Sequence, residues 1–67
     1  MQRIHKIVRE EPRWYYMLAD QLWMSYSWVY LTLRKWIKQE WTRTLYMRAL
    51  NKILGTDYTR EYLFSEV

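Results

Sequence analysis

One stretch decides how this chain folds: LADQLWMSYSWVYLTLRKW, Leu18 to Trp36. Its apolar residues keep a helical rhythm, break at a short polar interruption around Ser25, and resume at Val29. At about 100° per residue, Tyr26, Val29, Tyr30, Leu33, Trp36 and Ile37 share an arc of roughly 120°. Arg34, Lys35, Lys38 and Gln39 lie opposite. The spacing predicts an amphipathic helix near 26–40, with Ser25 or Ser27 accepting from its unpaired first-turn N–H groups. The run before it, Arg13 to Trp23, is apolar almost all round. Trp14, Leu18 and Leu22 form one stripe and Tyr16, Ala19 and Trp23 another, which predicts a helix near 13–23 that is buried or part of an interface.

Outward from this pair, Ile4, Ile7, Val8 and Glu11 share a stripe and predict a short helix near 3–11. It should stop before Pro12, because the residue preceding proline avoids the α region, and Pro12 suits the first turn of the next helix. Continuing the third helix past Trp41 would swing Trp41 and Leu45 onto the lysine-bearing side. A break near 40–44 is therefore expected, with Thr42 or Thr44 as cap. A fourth helix near 44–54 then follows on Leu45, Ala49, Leu50 and Ile53, closed by Gly55 as a left-handed terminal residue. In the tail, 56–67, Tyr58, Arg60, Tyr62 and Phe64 alternate as in an extended segment, while Asp57 could cap one more helical turn. The expectation is an all-α bundle of about four short helices in one domain, 1–67, with an extended or helical tail.

At 67 residues there is room for one domain and no cofactor-binding lobe. No cysteine is present, so neither a disulfide nor a thiolate metal site can staple the fold, and the composition fits a reducing compartment. The staple is aromatic: five Trp, seven Tyr and one Phe, more apolar surface than so small a core readily hides. No apolar run approaches the ~20 residues of a membrane span, and the polar start MQRIHKIVREEP does not read as a signal segment. A cytoplasmic protein is expected, in the host cytoplasm if the source is viral. Of the net charge of +4, residues 34–54 carry six cations (Arg34, Lys35, Lys38, Arg43, Arg48 and Lys52) against Glu40 alone. That concentration points to an anionic partner, nucleic acid first.

For catalysis the residue types offer little. His5 is the only histidine and falls on the polar side of the first helix; Glu10 and Glu11 diverge as helix neighbours and are better placed to end one helix and cap the next. No phosphate loop, metal-ligand cluster or nucleophile–base pair can be drawn, so neither an enzyme nor a cofactor is expected.

The opening stretch resembles the helix–turn–helix family of DNA-binding proteins over about twenty residues. Ala19 is the small residue where the two helices meet, and Leu18, Leu22, Met24, Val29 and Leu33 are the apolar locks. The resemblance implies that Ser25, Tyr26, Ser27, Tyr30 and Arg34 face the major groove, with Lys35 and Lys38 on phosphates. It departs from the family at Trp23, where the turn ordinarily carries glycine, and at Thr32, an expected lock. Two further segments, YLTLRKW (Tyr30–Trp36) and REYLF (Arg60–Phe64), resemble lambda-type phage excisionases, small winged-helix proteins that bend DNA. That resemblance implies instead a groove helix over 44–54, a wing over 56–64, and Arg48, Lys52 and Arg60 on DNA. Both resemblances imply a DNA-binding regulatory or architectural protein of phage or mobile-element type, acting as a homodimer. The alternative is a protein–protein module, an inhibitor or assembly subunit docking through Trp14, Trp23, Trp28 and Trp41. Tyr26, Tyr30 and Trp36 share a face with Val29 and Leu33, which assigns them to the core rather than to a base-stacking platform.

Overall fold

Two residues in the left-handed region punctuate the chain, Trp23 (φ 58°) and Gly55 (φ 66°), and each ends a helix. In the computed structural model, which describes residues 1–67, there are five helices: α1 (Arg3–Arg9), α2 (Arg13–Leu22), α3 (Tyr26–Arg34), α4 (Glu40–Leu54) and α5 (Arg60–Leu63). α2 packs on both α3 and α4, while α1 bridges α2, α3 and α5. The all-α class is as expected; the count is five rather than four.

The core takes Ile4 and Val8 from α1, Tyr15, Leu18 and Ala19 from α2, and Val29 and Leu33 from α3. Tyr46, Ala49 and Leu50 of α4, with Ile37, Leu63 and Phe64, close it. The α2 stripes are corrected here: Tyr15 is buried, while Tyr16 and Met17 are exposed, so this helix has a free face. Tyr46 is wholly buried, and its hydroxyl donates to Met24 Sδ at 3.7 Å. Thr32, where the helix–turn–helix resemblance expects an apolar lock, is half-buried. Burial pushes the Tyr46 hydroxyl above its ordinary range, with the nearby Thr32 hydroxyl acting the other way.

The third helix ends at Arg34 rather than near 40, and Lys35 is already extended (ψ 160°). The cause is one buried side chain from the far end of the chain. Gln2 is 2% exposed; its Oε1 accepts from the Ile37 N–H at 2.9 Å, and its Nε2 donates to the Ile37 carbonyl at 3.0 Å. Arg43 Nε donates to the same carbonyl at 2.8 Å. Both polar groups of Ile37 are thus satisfied outside any helix, and its side chain still reaches the core from an extended segment. The break consequently falls at 35–39, not 40–44, and α4 begins at Glu40 with Gln39 as its flanking residue and no side-chain cap from Thr42 or Thr44. Glu40, in the favourable first turn, pairs with Arg60.

At the start of the chain α1 stops at Arg9, and Pro12 precedes α2 with helical dihedrals. Glu11 does not cap α2; its carboxylate accepts from Arg13 Nε at 3.1 Å. Beyond Gly55, Asn51 organises the tail. Its Oδ1 accepts from Thr56 Oγ1 (2.8 Å) and the Tyr58 N–H (3.0 Å), and its Nδ2 donates to the Tyr58 carbonyl (3.0 Å). Thr59, not Asp57, caps α5 by accepting from the Tyr62 N–H. The segment assigned to an excisionase wing is thus a pinned turn and a helical turn, and Tyr30–Arg34 belong to α3. An isolated antiparallel bridge between Gln2 and Glu66 joins the two ends of the chain.

Candidate nucleic-acid interface

The link between α2 and α3 is three residues long. At the end of α2 the Met24 N–H donates to the Ala19 carbonyl at 3.0 Å and the Trp23 N–H to the Asp20 carbonyl at 3.4 Å. That pair of bonds is the Schellman closure, and it requires the intervening residue to be left-handed. Tryptophan occupies that position here at a steric cost and leaves its indole 95% exposed. The tight turn forms despite Trp23. Ser25 is extended, and its Oγ accepts from the Trp28 N–H at 3.2 Å, starting α3 as expected.

With Val29 and Leu33 buried, α3 presents two flanks. On one, tyrosines assemble across the turn: Tyr16 stacks on Tyr26 at 4.4 Å between centroids, and Tyr15 lies 5.7 Å from Tyr26 and 5.4 Å from Tyr30. The Arg34 guanidinium sits 5.7 Å from the Tyr30 ring, and Ser27 is exposed beside it in the helix's first turn. On the other flank, Trp28 and Leu31 face Lys35, Trp36 and Lys38 across a groove of about 230 Å³. Exposures there are 59% for Trp28, 46% for Leu31 and 43% for Trp36.

No acidic residue lies between 21 and 39, and Arg34, Lys35 and Lys38 are exposed and free of ion pairs. The field of Arg34 reaches inward. His5, expected on a polar face, is half-buried, and its imidazole is held below the usual range, first by burial and then by Arg9, the terminal amine and Arg34. Burial, followed by Tyr30 and Tyr26, raises Tyr15.

The structure gathers Tyr26, Ser27, Tyr30 and Arg34 onto α3, sets Ser25 as its cap, and puts Lys35 and Lys38 beyond its end on the groove. Tyr26 is half-buried in the tyrosine cluster, and Ser25 is committed to its cap. Tyr30 and Trp36, assigned to the core by periodicity, are exposed: Trp36 lies beyond the helix end, and Tyr30 sits at the margin of the buried arc. Of the four tryptophans expected at an interface, Trp14 is half-buried against the core, and Trp41 (69% exposed) stands on the first turn of α4 outside the groove. Sequence reasoning did not single out Tyr16 or Leu31. Leu31 had a visible signal, an aliphatic residue on the side of the helix opposite Val29 and Leu33.

No set of three His, Asp or Glu side chains converges to hold a metal ion. No helix is long and apolar enough to cross a membrane. No protein-family model, curated protein or solved structure matches this chain.

Proposed function

We propose that this chain is a small DNA-binding protein of the helix–turn–helix kind, regulatory or architectural in role, that lays α3 into the major groove of duplex DNA. The observation that carries the reading is the α2–turn–α3 unit. Ala19, Val29 and Leu33 are buried, Ser25 caps the second helix, and Ser27, Tyr30 and Arg34 stay free in a stretch without acids. Ser27 and the hydroxyls of Tyr26 and Tyr30 supply hydrogen bonds at base edges, and Arg34 can fork onto a guanine. Lys35 and Lys38 at the end of the helix meet phosphates, which position the protein without reading sequence.

The molecule measures 24 × 24 × 23 Å. Successive major grooves on one side of the duplex are about 34 Å apart, so one copy engages one half-site and a homodimer is needed for two. The deciding experiment is a salt titration of binding to a fluorescein-labelled random 24-base-pair duplex. Log affinity should fall linearly with log salt, and Lys35→Ala or Lys38→Ala should each weaken binding and flatten the slope by about 0.9. No binding at low salt, or a slope indifferent to both substitutions, would overturn the proposal.

A further inference from the structure

We infer that the groove between α3 and the 35–39 segment is a docking site for an acidic segment of another protein, one that presents two neighbouring bulky apolar side chains. The groove lies on the flank of α3 away from the tyrosine cluster and the base-reading residues, and shares with the DNA reading only Lys35 and Lys38. It is lined by Leu31, the indoles of Trp28 and Trp36 and the buried Ile37, with the exposed Lys35 and Lys38 beside them. Three large apolar side chains left 43–59% exposed around one concavity make a patch of the sort that marks partner sites, and tryptophan is the residue most enriched in binding hot spots.

The charge selects the occupant. No acid lines the groove and none lies between 21 and 39, so two lysines at an apolar edge complement carboxylates flanking apolar anchors. This is the pattern of an amphipathic helix lying in a groove. A second copy docked groove to groove would set Lys35 and Lys38 against their own equivalents, which like-charge repulsion opposes. Nucleic-acid bases need a flat ring to stack on. Here an aliphatic side chain, Leu31, shares with two indoles a concavity of about 230 Å³, sized for one or two side chains. The site is also preformed, since the three hydrogen bonds on Ile37 hold the 35–39 wall in place. A rigid groove avoids much of the ordering cost of binding.

The test uses the full chain and a fluorescein-labelled synthetic helical peptide with leucine and phenylalanine on one face and glutamate on the other, read by anisotropy. The peptide should bind. A version with every glutamate replaced by lysine should bind at least tenfold more weakly. Trp28→Ala and Leu31→Ala should each weaken binding at least tenfold while leaving the circular dichroism and melting temperature of the free protein close to the parent. Trp41→Ala, an exposed indole outside the groove, should leave binding unchanged. The inference is overturned if the acidic peptide does not bind, or if binding survives both groove substitutions. It is equally overturned if Trp41→Ala matches their effect, or if a twelve-residue oligothymidine binds more tightly than the peptide with the same dependence on Trp28.

Discussion

Replacing Gln2 with alanine tests the claim that one distant side chain decides where α3 ends. In the folded protein Gln2 gives both of its hydrogen bonds to Ile37, at 2.9 and 3.0 Å, and is 2% exposed. The substitution leaves the Ile37 N–H with no acceptor, at about 1–3 kcal/mol for a buried unpaired group. The Ile37 carbonyl keeps Arg43 Nε, so its loss is smaller. Adding the void left by the amide, the total comes to about 2–4 kcal/mol. A chain of 67 residues has on the order of 3–10 kcal/mol in all, so this is a large fraction. The melting temperature, followed by circular dichroism, should fall by at least about 8 °C. Gln2→Met, which keeps the volume and removes the hydrogen bonds, should lose most of the same stability. Amide exchange across 35–39 should quicken in both variants. A change below about 0.5 kcal/mol in Gln2→Met, or unchanged exchange at Ile37, would refute the reasoning.

Three further outcomes are expected. Trp23→Gly should raise the melting temperature by about 4–8 °C: it relieves about 1 kcal/mol of left-handed strain, and a side chain 95% exposed gives up little burial. An unchanged or lower value counts against strain at the turn. His5 has its folded pKa below the ordinary value of about 6.5, so the unfolded chain binds more protons between the two values. Its contribution is therefore complete above pH 6.5 and is lost as pH falls through the lowered folded value. His5→Gln should flatten the stability profile between about pH 7 and 5, and a profile identical to the parent's speaks against the depressed imidazole. Met24→Leu, close in volume, should destabilise the fold by about 1–2 kcal/mol, because the buried Tyr46 hydroxyl loses its sulfur acceptor. Tyr46→Phe should then have a smaller effect in that background than in the parent, as a double-mutant cycle in urea would measure.

Ile37 shows why part of the fold escaped a reading from sequence. It follows Leu33 by four residues, so it is in phase with the buried stripe whether the chain stays helical or leaves the helix to reach the core extended. What separates the alternatives is a hydrogen-bond partner 35 positions away, and no local pattern carries that. Local chemistry narrowed the α3 cap to Ser25 or Ser27 and specified the left-handed Gly55 and the α1 stripe of Ile4 and Val8, because the interactions that make them span only a few residues. The tail falls between these cases. Thr59 and Asp57 are both good capping residues, and the choice rests on Asn51 fixing Thr56 and Tyr58, a contact across five to seven positions.

The candidate site was legible to the extent that its residues stand on one helix, and obscure where that helix ends. Periodicity found Arg34, Lys35 and Lys38 on one side, yet placed Trp36 in the core, because it extended α3 by two turns that do not form. Ending the helix at Arg34 is what creates the groove: the chain turns back extended, and Trp36 comes out beside Trp28 and Leu31. The same ending sets two cations on the groove rim while Arg34 stays with the tyrosine flank. A nine-residue helix that buries only Val29 and Leu33 contributes little to the core for its length. Its remaining circumference holds one arginine, four large apolar or aromatic side chains and no acid, an arrangement that core packing does not require. The turn before it keeps tryptophan where glycine would be more stable. Both departures run against stability and both lie on the surface around α3, so the physical case for function is strongest there, and Gln2, by holding Ile37, is the residue that keeps that surface in shape.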